Sequence, residues 1–200
     1  IARMVMIMGT ATATATATAM ITIMRTTTTT MLTEPGLHLL LAWTSPSLPI
    51  GGYTYSHGLE TAVDSGRVRR WGDLVDYVDA VIARGGGWVD AVLLAQAMRV
   101  AEDEVAFDEI ADLAAAFRAS SETALESRQQ GAAFLSVVRK AWPHPALDAY
   151  AARRGSWAHA HATVFALAAA SHGVDETAAV HGFLHATAAN LVSAGVRLVP

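Results

Sequence analysis

Six of the eight histidines in this 200-residue chain fall between His144 and His185, and they are the densest set of side chains able to do chemistry. His181 and His185 stand four residues apart, a spacing that lets two imidazoles on one helix face reach a single metal ion, with His159 and His161 as further donors. The residues between them, Gly182, Phe183 and Leu184, provide no general base, so the zinc-peptidase pattern is absent. The chain has no cysteine and no clustered carboxylate to complete a coordination shell. Helix-surface or core histidines are therefore the first reading, and a metal site at His181 and His185 the weaker one. Ser56 and His57 supply a hydroxyl beside an imidazole. Adjacent residues rarely share hydrogen-bond geometry, the Gly-x-Ser-x-Gly elbow is missing, and a capping serine accounts for the position without catalysis. The single lysine, Lys140, follows Arg139 rather than glycine, so no phosphate-cradling Gly-Lys-Ser/Thr loop is present. No residue is assigned a catalytic role.

These side chains need a scaffold, and the stretch from Trp43 to Glu60 organises it. Pro46 and Pro49 fix their own φ and push Ser45 and Leu48 out of the helical region, so the backbone runs extended. Gly51 and Gly52 permit a close approach, and Ser56 is expected to cap a helix beginning near His57, with Glu60 in its first turn. Leu48, Ile50, Tyr53 and Tyr55 are too apolar for a solvated turn; Tyr53 and Tyr55 suit either an interface or packing onto the chain's own domain.

Around this loop the periodicity predicts helices. One covers Leu37 to Trp43; another carries Val68, Trp71, Leu74, Val75, Val78 and Ile82 and ends at Gly85-Gly86-Gly87, with Asp73, Asp76 and Asp79 on its solvated face. Trp88, Val89, Val92, Leu93 and Val100 define the next, and Ile110, Leu113 and Phe117 the one after the acidic turn at Glu102. A long helix runs from a Ser120 or Ser121 cap to about Trp142, where Pro143 and Pro145 stop it. Gly131 inside it costs about 1 kcal/mol relative to Ala, tolerable where another backbone comes close. Glu122, Glu126 and Gln130 share one face of it, either wet or a seam. A short helix follows to Arg154. Two largely apolar helices, Trp157 to Ala170 and Val174 to Leu198, must be buried. On the last, Asn190, Ser193 and Arg197 form a polar stripe that needs a partner, the long helix's polar face or a second chain.

The order Ser45, Pro46, Leu48, Pro49, Ile50, Gly51, Gly52, Tyr53, Ser56, His57, Gly58, Leu59, Glu60 resembles the N-terminal signature of the urease accessory protein UreF family. Glu126 to Gly131, His161 to Phe165 and Asn190 to Leu198 agree with it, so the resemblance covers about residues 31 to 200. Leu48 departs from a common Phe and Gly195 from a usual Ala. Family members continue beyond Pro200, so the resemblance implies a C-terminally truncated product. It also implies a non-catalytic urease maturation factor that joins the accessory protein UreD/UreH and the GTPase UreG, serves apo-urease through that complex, and commonly forms a homodimer. Nickel and GTP are then handled by partners and no cofactor is bound. The expected contact residues are Tyr53, Ser56, His57 and Glu60, with Arg128, Gln130, Asn190 and Arg197. A small nickel carrier using His181 and His185 is the alternative.

Composition agrees. A 52% hydrophobic, 16% charged chain rich in Ala suits one all-α domain, a bundle of about eight helices spanning 31–200. A formal charge of −4 with scattered basic residues excludes the footprint of a nucleic-acid binder. Residues 1–30, an Ala/Thr alternation followed by a threonine run, read as a low-complexity extension, disordered or artefactual with Met31 as the natural beginning, and not as a signal or membrane segment. A cytoplasmic location is expected.

Overall fold

The computed structural model describes residues 33–52, 56–155 and 159–199. All lie in the compact unit from Leu32 to Pro200. The readings made for 1–30, Tyr53, Tyr55 and Trp157 fall outside the described residues. Among those described the chain forms nine helices and no strand. They are α1 (Glu34–Trp43), α2 (Leu59–Asp64), α3 (Trp71–Arg84), α4 (Gly86–Arg99), α5 (Glu104–Ala116), α6 (Ser121–Ala141), α7 (Pro145–Arg153), α8 (His161–Ser171) and α9 (Glu176–Leu198). The all-α expectation holds. None of these helices is long and apolar enough to cross a membrane.

Helix α8 is the axis of the bundle. Every residue from Ala162 to Ala169 is buried, because small alanines let neighbours close in from all sides. Its widest contacts are with α4 and α6. Helix α6 starts at Ser120, whose side chain accepts from the Thr123 N–H while Thr123 Oγ1 accepts from the Ser120 N–H, a reciprocal cap. Midway along it, Gly131 lies against the backbone entering α8, where an added methyl would overlap the His159 carbonyl. Trp43, at the end of α1, meets Phe134, Trp142 and Phe165 edge-on, each at 6.0 Å between ring centroids. This aromatic group ties α1, α6 and α8 into one core.

Three expectations need correcting. The break between α3 and α4 is Gly85 alone, since Gly86 and Gly87 already begin α4. The large apolar residues expected in the core at Trp71, Val75, Trp88, Val92, Leu113 and Phe117 are exposed. Leu74 and Leu93 of the same sets are buried, and Leu94, Ala97, Phe107, Ala111 and Ala114 complete the buried stripe. Helices α3 and α5 sit at the edge of the bundle, and small residues allow the closest helix contact, so a narrow stripe suffices. Third, Ser56 caps nothing: α2 begins at Leu59 with Gly58 as its N-cap, because His57 and Gly58 both take left-handed φ values, 50° and 83°, before the helix can start.

Candidate functional site

The loop after α1 reaches the interior through short-range order. Ser45 Oγ lies 2.6 Å from Ser47 Oγ, and the Ser45 carbonyl accepts from the Leu48 N–H at 3.0 Å. Leu48 and Ile50 are half-buried against the main core. Ser56 is buried, and its carbonyl accepts from the Leu59 N–H. The left-handed turn at His57 is held from outside by Tyr77, whose hydroxyl donates to the His57 carbonyl at 2.6 Å.

The turn aims the His57 ring at α6. His57 Nε2 stands 3.4 Å from Glu126 Oε1, and the same oxygen accepts from Gln130 Nε2 at 3.1 Å. Glu126 is a buried carboxylate, its side chain only 10% exposed. Burial pushes its carboxyl above the usual range, while His57 and Gln130 pull it back. Lining a cavity with His57 and Glu126, Asp90 of α4 pairs with Arg118 at 2.8 Å, out of line for a hydrogen bond, with both side chains largely buried. Arg118 Nε donates to the Ala114 carbonyl at 2.9 Å, while Nη2 is buried without a hydrogen-bond partner. Burial raises the Asp90 carboxyl as well, and Arg118 opposes it.

Two cavities flank this polar centre and share His57, Asp90 and Glu126 as their common wall. One is a cleft of about 70 Å³ that adds Gly52, Gln130, His161 and Asn190. Asn190 Nδ2 lies so close to Gly52 that an added Cβ there would come within 3.1 Å of it. The other, about 540 Å³, opens between the Gly85 break and the start of α6. His161 borders the narrow cleft; its backbone N–H donates to Ser127 Oγ at 3.2 Å and its ring packs on Phe134 and Phe183. Burial, with the Arg118 charge adding to it, pushes the His161 imidazole down to about 4.

Of the residues expected at contacts, His57, Gln130 and Asn190 come together around Gly52 and Glu126. Among the described residues, the polar stripe of α9 comes to the polar row of α6 at Asn190. Arg197 is exposed and donates to the Ser193 carbonyl of its own helix at 3.3 Å. Arg128 donates to the Ala124 carbonyl at 3.2 Å, also within its helix, and Glu60 is exposed in the first turn of α2. His181 and His185 are exposed on α9, and among the described residues no group of three His, Cys, Asp or Glu is placed to hold a metal. Asp90 and Arg118 were not anticipated. Asp90 interrupts an apolar helix, which is a signal; Arg118 lies in a connecting turn with no pattern around it.

The UreF family model matches residues 68–200. A urease accessory protein UreF of Granulibacter bethesdensis is 47% identical over 169 residues, covering 84% of this chain and 71% of that protein. UreF proteins of Rhodopseudomonas palustris and Bradyrhizobium diazoefficiens are 43% and 39% identical over 166 residues each, covering 82% of this chain and 69% and 68% of theirs. A match over 84% of the chain cannot avoid the loop from Ser45 to Glu60 or the face of α6 that it meets. By matches of this length and identity, on both sides of the polar centre, the chain belongs to the urease accessory protein UreF family.

Proposed function

We propose that this chain serves urease maturation as a non-catalytic bridging subunit, binding a UreD/UreH protein and the GTPase UreG so that nickel is inserted into apo-urease. Family membership carries this reading. Three features support it. The signature loop is clamped at His57 by Glu126 and Tyr77, which presents its flanks as a fixed shape; rigid surfaces lose less entropy on binding. Exposed Trp71, Trp88 and Phe117 are the residue type that anchors protein interfaces. The 200 residues hold one lysine and no Gly-Lys-Ser/Thr, which favours GTP chemistry on a separate subunit. Nickel is cargo of the assembly in this reading, and no cofactor resides in the chain. A homodimer belongs to the same proposal.

Co-expression with tagged UreD/UreH and UreG tests it: the chain is expected to elute with both in one complex. Elution of the two partners together, with this chain left in the flow-through, would overturn the reading.

A further inference from the structure

The cavity of about 540 Å³ beside the polar centre has apolar walls at Val81, Val89 and Phe117 and an ionic floor. Its lining charges are Asp90, Glu126, Arg84 and Arg118, with His57 as the titratable neighbour. Arg84 is taken by Asp79 at 3.2 Å, and Arg118 by Asp90 at 2.8 Å. Glu126 is left with His57, a counter-charge only when its ring is protonated. Both its contacts, His57 and Gln130, use Oε1, and among the described residues Oε2 has neither a hydrogen bond nor an ion pair. A carboxylate whose side chain is nine-tenths buried demands a counter-charge or a proton. Burial pushing Glu126 up is the same demand seen in its titration. At the mouth Phe117 is 61% exposed, apolar surface on the path to that carboxylate.

We propose that this cavity receives a basic side chain, lysine or arginine, from a partner protein, its aliphatic stem lying along Phe117 and Val89 and its charged head meeting Glu126. The geometry suits such a group because it combines a long apolar stem with a terminal cation. A guanidinium donates several hydrogen bonds in one plane and satisfies a carboxylate oxygen better than a bare charge. The proposal rests on the reading of this chain as a protein-binding subunit, and it names one place where a partner is held.

The test uses the purified chain and two fragments of the same shape: n-butylguanidinium, which carries the charge, and n-butylurea, which does not. Titrations followed by NMR at His57 and Gln130 should show the cation binding about tenfold more tightly or better, the discrimination expected of one charge-assisted hydrogen bond. Glu126→Gln should abolish that difference. Phe117→Ala removes an exposed ring and so spares the fold; it should weaken both fragments alike, and it decides the matter even where Glu126→Gln does not fold. Equal affinity for the two fragments, or no effect of Phe117→Ala, overturns the proposal. So does nickel chloride perturbing His57 and Glu126 one-to-one without competition from n-butylguanidinium, which would make the cavity a metal site. Because no partner protein is used, failure here leaves the bridging function standing, and failure of co-elution leaves this result standing.

Discussion

His57 and Glu126 meet at 3.4 Å although one lies in a strained turn and the other in the second turn of a long helix. His57 adopts φ 50°, a conformation that costs free energy in a residue with a side chain, and it is held there by Tyr77 and by Glu126. Removing either partner should loosen the loop. Glu126→Ala leaves Gln130 and His57 without their acceptor, and the expected loss in urea unfolding is about 1–3 kcal/mol. A double-mutant cycle with His57→Ala should return a coupling of about 1 kcal/mol. Additive losses would mean that the two side chains are merely neighbours.

Gly131→Ala inverts an ordinary rule. On an open helix the substitution stabilises by about 1 kcal/mol. Here the methyl group runs into the His159 carbonyl, which is backbone and cannot rotate aside. Thermal unfolding should show a loss of about 3 kcal/mol, or roughly 6–12 °C for a domain of this size. An unchanged or raised midpoint would show that α6 and the entry to α8 are not in contact.

His161 contributes a pH dependence of definite sign to stability. Its imidazole titrates at about 4 when folded against an ordinary value of 6.5, with Nε2 sealed from solvent. Between those values the unfolded chain binds the extra proton, so this group makes stability fall as pH drops from about 6.5 to about 4. Glu126 and Asp90, raised by burial, act in the opposite sense, since the folded state takes up their protons first. The contribution is therefore read by difference. His161→Phe, which extends the aromatic contacts with Phe134, Phe165 and Phe183, should lessen the acid-side loss relative to the parent chain, while His159, also lowered by burial, keeps its own share. Parallel curves would refute the assignment.

Nickel binding should not depend on the pair at the surface of α9. His181 and His185 are four residues apart and exposed, and two imidazoles alone hold a metal weakly. Equilibrium dialysis of the purified chain should give the same nickel uptake for the parent and for His181→Ala. Stoichiometric micromolar binding that disappears in the variant would support the carrier reading instead.

Helix order and caps were readable in the sequence because they are local. Ser120 and Pro145 mark their helix ends by chain chemistry alone. Gly131 announced a close backbone approach for the same reason, though not its partner. Ser56 misled because a capping residue needs an extended backbone directly before the helix, and two left-handed residues intervene. Trp88 and Phe117 mark their helices by periodicity, yet both rings are exposed, because Leu93, Leu94, Ala97, Phe107, Ala111 and Ala114 supply the buried stripe of α4 and α5. The polar centre was half legible. His57, Gln130 and Asn190 could be named, but Asp90 and Arg118 become partners only through the packing of α4 against the turn after α5, which no spacing encodes.

Reconstitution of apo-urease with nickel, GTP, UreD/UreH, UreG and graded amounts of this chain tests the bridging role most directly. The account predicts activation that rises with added chain and levels off at equivalence with UreG, as a structural subunit requires. Full activation by a small fraction of an equivalent, or activation with UreG omitted, would contradict it.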